Sequence, residues 1–146
     1  LVRKQFVKLG NYVSNVIISN AGAPQGTLAG PDDFKLLIND LRFDTTYIKY
    51  VDDVSIATIS LDPKNSELQD AANKLAGWCR SNGMALNTKK TKELVIHFGK
   101  RVDKKSIPNI VINETNIERV ESFKLLGVYF SSDLSWSTHV EYIYSV

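Results

Sequence analysis

Two adjacent carboxylates stand inside an otherwise apolar, β-branched stretch, Tyr47-Ile-Lys-Tyr-Val-Asp-Asp-Val-Ser-Ile-Ala-Thr58, and this limits the fold more tightly than any other feature of the sequence. Tyr50 and Val51 before the acids, and Val54, Ile56 and Ile59 after them, favour strands, whereas Asp is depleted from strands and favoured in turns. The stretch predicts a β-hairpin with Asp52 and Asp53 at its tip. Like charges held side by side repel each other, so a rigid tip that carries them is suited to a cation, and paired carboxylates match Mg²⁺ (or Mn²⁺). Taken alone, a solvated Asp-Asp turn is the simpler account of the pair. The rest of the sequence has to decide between the two.

Charge is unevenly spread along a chain that is nearly neutral as a whole. From Asp32 to Asp70 there are nine acids and four bases, whereas from Leu86 to Lys105 seven bases face only Glu93 and Asp103. Arg3, Lys4 and Lys8 add a basic start. An acidic centre between basic arms suits a metal-dependent enzyme acting on a polyanion, because bases hold phosphates while acids hold cations. Solvated faces of ordinary loops explain the charge taken alone equally well.

Other classes are disfavoured. No apolar run approaches the ~20 residues of a membrane-spanning helix, and no charged-then-apolar leader opens the sequence, so a soluble, unsecreted protein with no membrane partner is expected. Cys79 is the single cysteine and therefore has no disulfide partner within the chain. With only His97 and His139 beside it, no zinc set is expected. The one methionine is Met84 and the last residues read as the first turns of a helix, so the sequence is expected to be part of a longer chain.

Taken in order, Arg3 to Ile18 alternates around Gly10-Asn11 as a hairpin would. It leads into Ala21-Gly-Ala-Pro-Gln-Gly-Thr-Leu-Ala-Gly-Pro31, whose glycines and prolines exclude a regular strand and let the backbone approach a ligand. Phe34, Leu37, Ile38 and Leu41 then follow helical spacing. This is no P-loop, since no Gly-Lys-Ser/Thr is present. Beyond the acidic hairpin, Ser66-x-x-Gln69 is a capping-box pattern, and Leu68, Ala71, Ala72, Leu75, Trp78 and Cys79 form one apolar stripe closed by Asn82-Gly83. Trp78 and Cys79 read as core. A basic stretch from Leu86 is expected to become a strand, with Leu94, Ile96 and Phe98 on one face and Val95 and His97 on the other. Ile110 to Val120 reads as a further hairpin, Phe123 to Phe130 as a strand with Gly127 inside it, and Asp133 to Ser137 as the turn into the terminal helix.

In their order and spacing, Gly22-Ala-Pro-Gln-Gly-Thr-x-x-Gly-Pro31, Ile38-Asn-Asp-Leu41, Tyr50-Val-Asp-Asp53, Leu86-Asn-x-x-Lys-Thr91 and Phe123-Lys-Leu-Leu-Gly-Val128 resemble motifs B, C, D and E of reverse transcriptases, specifically of non-LTR (LINE-type) retrotransposons. Arg3-Lys-Gln5 resembles the segment before motif B. Tyr-x-Asp-Asp alone is a weak signal, but the ordered set is specific and covers nearly the whole chain.

The resemblance implies an α+β polymerase palm fragment, an antiparallel sheet with covering helices, over residues 1–130, with 131–146 as the start of a thumb helix. It implies RNA-directed DNA synthesis on an RNA template with a DNA primer and deoxynucleoside triphosphates, using Mg²⁺ (or Mn²⁺). Asp52 and Asp53 match the motif C metal ligands, Asp52 the firmer of the two. Tyr50 and Val51 fall near the primer terminus. Pro24, Gln25 and Gly26 match the loop under the template and nascent base pair. Lys90 matches the lysine that can protonate the pyrophosphate leaving group, and Leu126 and Gly127 fall where motif E grips the primer. An intracellular protein is implied, acting in the nucleus if it shares the family's target-primed synthesis.

Two departures qualify this. Asp32-Asp33 stand where relatives usually carry apolar residues, and motif A, with its own aspartate, lies upstream of Leu1, so these residues alone are expected to be inactive. The competing expectation is a decayed or domesticated remnant that binds nucleic acid without catalysis. An unrelated RNA-binding domain lacks support, because no strand presents the aromatic pair on which bases would stack.

Overall fold

The computed structural model describes residues 3–19, 30–62, 67–98 and 106–145. Among the described residues short strands mix with three helices, as the α+β expectation required. The chain divides into two compact units, one of Leu1–Arg42 with Lys49–Val54 and the other of Phe43–Ile48 with Ser55–Val146.

In the first unit, β1 (Arg3–Gln5) pairs antiparallel with β4 (Ile17–Ser19), and β2 (Lys8–Leu9) with β3 (Tyr12–Val13). These are rungs of one hairpin, turned at Gly10, whose φ of 60° is the left-handed backbone that a two-residue turn demands of its first position. Its apolar side chains, among them Leu9, Tyr12 and Ile17, are exposed. The glycine-rich segment that follows lies outside the described residues up to Ala29. Helix α1 (Gly30–Leu37) begins directly after it. Asp32 and Asp33 occupy its first turn, where the positive end of the helix dipole favours acids, and Lys35 pairs with Asp32 at 3.1 Å on the exposed surface. The chain leaves α1 through a turn that buries Ile38 and Leu41, the latter only 2% exposed.

In the second unit, α2 (Glu67–Ser81) carries the predicted stripe: Ala71, Ala72, Leu75, Ala76 and Cys79 are buried, while Trp78 is half-buried. Ser66 lies outside the described residues, so the capping box is represented only by Gln69. The C-terminus closes as the Asn82-Gly83 pair suggested. The Met84 N–H reaches the Cys79 carbonyl at 2.8 Å, the Gly83 N–H reaches that of Arg80, and Gly83 is left-handed at φ 65°. Ala72 and Ala76 pack against Ile112 and Ile117 of a hairpin formed by β8 (Val111–Ile112) and β9 (Thr115–Asn116). Gln69 fastens that hairpin to the helix, accepting from the Val111 N–H at 2.9 Å and donating to its carbonyl at 2.7 Å.

Two expectations are corrected here. The strand anticipated up to Phe98 is only β7 (Lys92–Leu94), and the residue it buries is Glu93, while Phe98 is 89% exposed. Long-range charge pairing overrides the local pattern. β7 lies parallel to β10 (Glu118–Val120), which brings Arg119 opposite Glu93, and the guanidinium grips both carboxylate oxygens at 3.0 and 3.2 Å while donating to the carbonyls of Ile107 and Pro108. Gly127, expected inside a strand, is instead the second turn residue between β11 (Ser122–Leu125) and β12 (Val128–Ser131). In place of the single antiparallel sheet that the sequence suggested, the described strands pair two by two: tight turns close the hairpins, while β7 and β10 pair in parallel across the intervening chain. Helix α3 (Ser137–Ser145) packs on β12 through Tyr129 and Tyr142, whose rings lie 5.3 Å apart.

The Glu93–Arg119 pair is the main polar interaction buried in this unit. Removing one partner leaves the other charge buried, a loss of about 3–5 kcal/mol, whereas replacing both by apolar groups of similar size is often neutral. Denaturant unfolding should therefore show Arg119→Met strongly destabilised and the double variant Glu93→Leu/Arg119→Met markedly less so. Equal losses in both would show that the ion pair contributes nothing specific.

Candidate active site

The acid-bearing hairpin forms as the sequence predicted. Strand β5 (Thr46–Tyr50) runs into a two-residue turn, Val51-Asp52, and returns as β6 (Asp53–Ala57). Tyr47 and Lys49 face inward along β5, while Thr46, Ile48 and Tyr50 face outward. At the open end of the hairpin the Thr45 hydroxyl donates to the Ala57 carbonyl at 2.9 Å. At the tip Val51 is left-handed, with φ 52°. A two-residue hairpin turn needs such a backbone at its first position, but glycine ordinarily supplies it, and a β-branched residue there is a genuine outlier.

Asp52 and Asp53 are both exposed, and among the described residues neither carboxylate enters an ion pair or a side-chain hydrogen bond. Their oxygens are the hard donors that Mg²⁺ prefers. No cluster of three or more acidic, histidine or cysteine side chains that could hold a metal occurs among the described residues, so the pair offers only part of a coordination sphere. Beside the turn lies an open groove of about 330 Å³, bordered by Pro31, Lys35, Asn39, Lys49 and Tyr50.

The structure thus places Tyr50, Val51, Asp52 and Asp53 side by side at the end of one hairpin, Val51 and Asp52 in the turn and Tyr50 and Asp53 at the adjoining strand ends. Lys90, Leu126 and Gly127 belong to the other unit. Pro24, Gln25 and Gly26 lie outside the described residues. Lys90 sits on a tight turn organised by Asn87. The Lys90 N–H donates to the Asn87 carbonyl and to its side-chain oxygen, each at 3.2 Å, and the Thr91 hydroxyl donates to that carbonyl at 2.9 Å. The Lys90 side chain is exposed. Leu126 and Gly127 form the β11–β12 turn, with φ values of 47° and 90°. Cys79, read as core, is buried, and burial pushes its thiol up from the ordinary value.

One residue of the site escaped the sequence reading. The Lys49 ammonium, half-buried, donates to the carbonyls of Ile38 at 2.7 Å and Leu41 at 3.0 Å just beyond α1. The available signal was its place beside Tyr47 on the inward face of an apolar strand, an unusual position for a cation.

Residues 2–130 match the family described as reverse transcriptase (RNA-dependent DNA polymerase), and the chain belongs to that family. It is 24% identical, over 92% of its length, to the RNA-directed DNA polymerase from the mobile element jockey of Drosophila melanogaster, a LINE-type element. It spans 16% of that relative's length. No solved structure matches the chain.

The left-handed valine gives a direct test of strain at the turn. Sparsely populated backbone costs of order 1–3 kcal/mol, partly offset in a glycine variant by the larger entropy of its unfolded chain. Val51→Gly should therefore stabilise the protein by about 1 kcal/mol in denaturant unfolding. A clear loss of stability would show that the turn holds no such strain.

Proposed function

We propose that the chain is a palm segment of a non-LTR retrotransposon polymerase, residues 1–130, continuing into the first helix of the thumb over 131–146, and that its parent synthesises DNA on an RNA template from a DNA primer and deoxynucleoside triphosphates. The observation that carries this is the adjacent pair Asp52 and Asp53 at the tip of a hairpin, Asp52 in its strained turn and Asp53 opening the return strand, within residues that belong to the reverse transcriptase family. A nuclear site of action follows if the parent shares target-primed synthesis.

In this reading Asp52 is the firmer ligand and Asp53 the second for Mg²⁺ (or Mn²⁺). Ions held there would supply activation of the primer 3′-hydroxyl and charge stabilisation of the leaving pyrophosphate. Tyr50 and Val51 border the primer terminus, and Pro24, Gln25 and Gly26 support the template and the incoming nucleotide. The Lys90 ammonium gives a proton to the departing pyrophosphate and becomes the neutral amine, and the Asn87 turn sets where that group starts from. Leu126 and Gly127 hold the primer backbone. A third carboxylate, on the strand that carries motif A in related enzymes, is needed from outside these 146 residues, so the chain by itself does not extend a primer.

Primer extension on an RNA template tests this with three proteins: the 146 residues alone, a version extended upstream through the motif A aspartate, and that version carrying Asp52→Asn. Only the second should synthesise DNA. Synthesis by the first would refute the requirement for a third carboxylate, and a folded but inactive second protein would favour a remnant that only binds nucleic acid.

The role of Lys90 has a separate signature. General-acid transfer contributes roughly 10²–10⁴-fold, so Lys90→Ala in the extended protein should lower kcat within that range. One phosphate contact changes the salt slope of binding by only ~1, so affinity for an RNA–DNA duplex should change little. A large loss of affinity with kcat unchanged would reassign Lys90 to phosphate binding.

A further inference from the structure

Lys49 is placed to do more than satisfy two carbonyls. It immediately precedes Tyr50 and lies two residues before the strained Val51-Asp52 turn. Its ammonium reaches the backbone of Ile38 and Leu41, whose side chains are buried in the same unit. These carbonyls terminate the segment that begins with α1, and α1 starts at Gly30, the last glycine of the glycine-rich stretch. A single cation therefore ties the acid turn to the end of the helical segment that follows that stretch.

The chemistry at this position calls for a charged donor. The Ile38 carbonyl directly follows α1, where the helix end favours a cation, and the Leu41 carbonyl, three residues further along the turn, accepts from the same ammonium. An apolar side chain could fill the space but would leave both acceptors without this donor. The other lysine of the groove, Lys35, is directed to Asp32 on the exposed face and does not reach these carbonyls. Between the clamp at Lys49 and the turn there is only one residue, so the direction in which Asp52 and Asp53 are offered depends on where the ammonium is held.

We propose that Lys49 is a positioning residue, which locks the Asp52–Asp53 turn against the end of the α1 segment and so sets the cation-binding geometry of the two carboxylates. This rests on reading the acids as cation ligands. The chain's own response to Mn²⁺ is the test, combined with hydrogen exchange read by mass spectrometry on peptides covering 30–42 and 46–57. Wild type, Lys49→Met, Lys49→Arg and, as control for the acids, Asp52→Asn are compared, with bound Mn²⁺ followed through the spectrum of the free ion.

Lys49→Met is expected to exchange about tenfold faster across 49–54, in keeping with loss of two charge-assisted hydrogen bonds, and to bind Mn²⁺ at least about threefold more weakly. Lys49→Arg, which keeps two donors, is expected to behave as wild type. Faster exchange confined to 30–42 with Mn²⁺ binding unchanged would overturn the proposal, since the lysine would then only cap the helical segment. If wild type and Asp52→Asn bind Mn²⁺ alike, the reading of the acids fails by itself. The clamp is then judged by exchange across 49–54, and no change there overturns it. Should Lys49→Met not fold, Lys49→Gln replaces it. Global unfolding of both variants beside a folded Lys49→Arg would overturn the proposal, by making the lysine a support of the whole unit.

Discussion

The architecture depends on tight turns that require left-handed backbone. Two-residue hairpin turns match the twist of their strands only when one or both turn residues take positive φ, and Gly10, Val51, the Asn113-Glu114 pair and the Leu126-Gly127 pair all do so. Glycine and asparagine adopt this backbone with little strain, but Val51, Glu114 and Leu126 do not. Two of these costly residues, Val51 and Leu126, fall within the stretches that resemble motifs C and E. Strain of this kind persists only where surrounding structure fixes it, and it concentrates where a backbone has to present something in a set direction.

How much of this was legible follows the range of the forces involved. Helix α2 was read nearly to the residue, because its stripe and its Asn82-Gly83 stop are local signals that the packing then obeys. The hairpins at Gly10 and around Asp52 were legible for the same reason, whereas of Ile110 to Val120 only Val111 to Asn116 forms a hairpin and Glu118–Val120 pairs with β7 instead. The extent and buried face of β7 were not. Alternation from Leu94 to Phe98 pointed to an apolar inner face, but the decisive partner, Arg119, lies 26 residues away from Glu93, and nothing in the local pattern announces it. Gly127 was misplaced for a related reason. Glycine marks both bulged strands and turns, and only the pairing of Leu125 with Val128 distinguishes them.

The candidate site divides along the same line. Asp52 and Asp53 stand out in the sequence because acids interrupt a β-branched run. Lys90 stands out less, as one lysine among several, and the Asn87 turn that fixes its backbone becomes visible only in the hydrogen bonds. Lys49 was legible only in retrospect. Read along the chain it is a cation among apolar neighbours, and its meaning comes from two carbonyls 8 and 11 residues earlier.

These observations give the acid turn a consistent physical description. A β-branched residue held at φ 52° would relax if its hairpin were free to flex. The hairpin is held at both ends instead. Thr45 closes its open end onto Ala57, and Lys49 fixes its outgoing strand one residue from the turn. Each clamp opposes the relaxation that would relieve Val51. Asp52 and Asp53, exposed at the end of this hairpin, are therefore presented by a backbone with little freedom to rearrange.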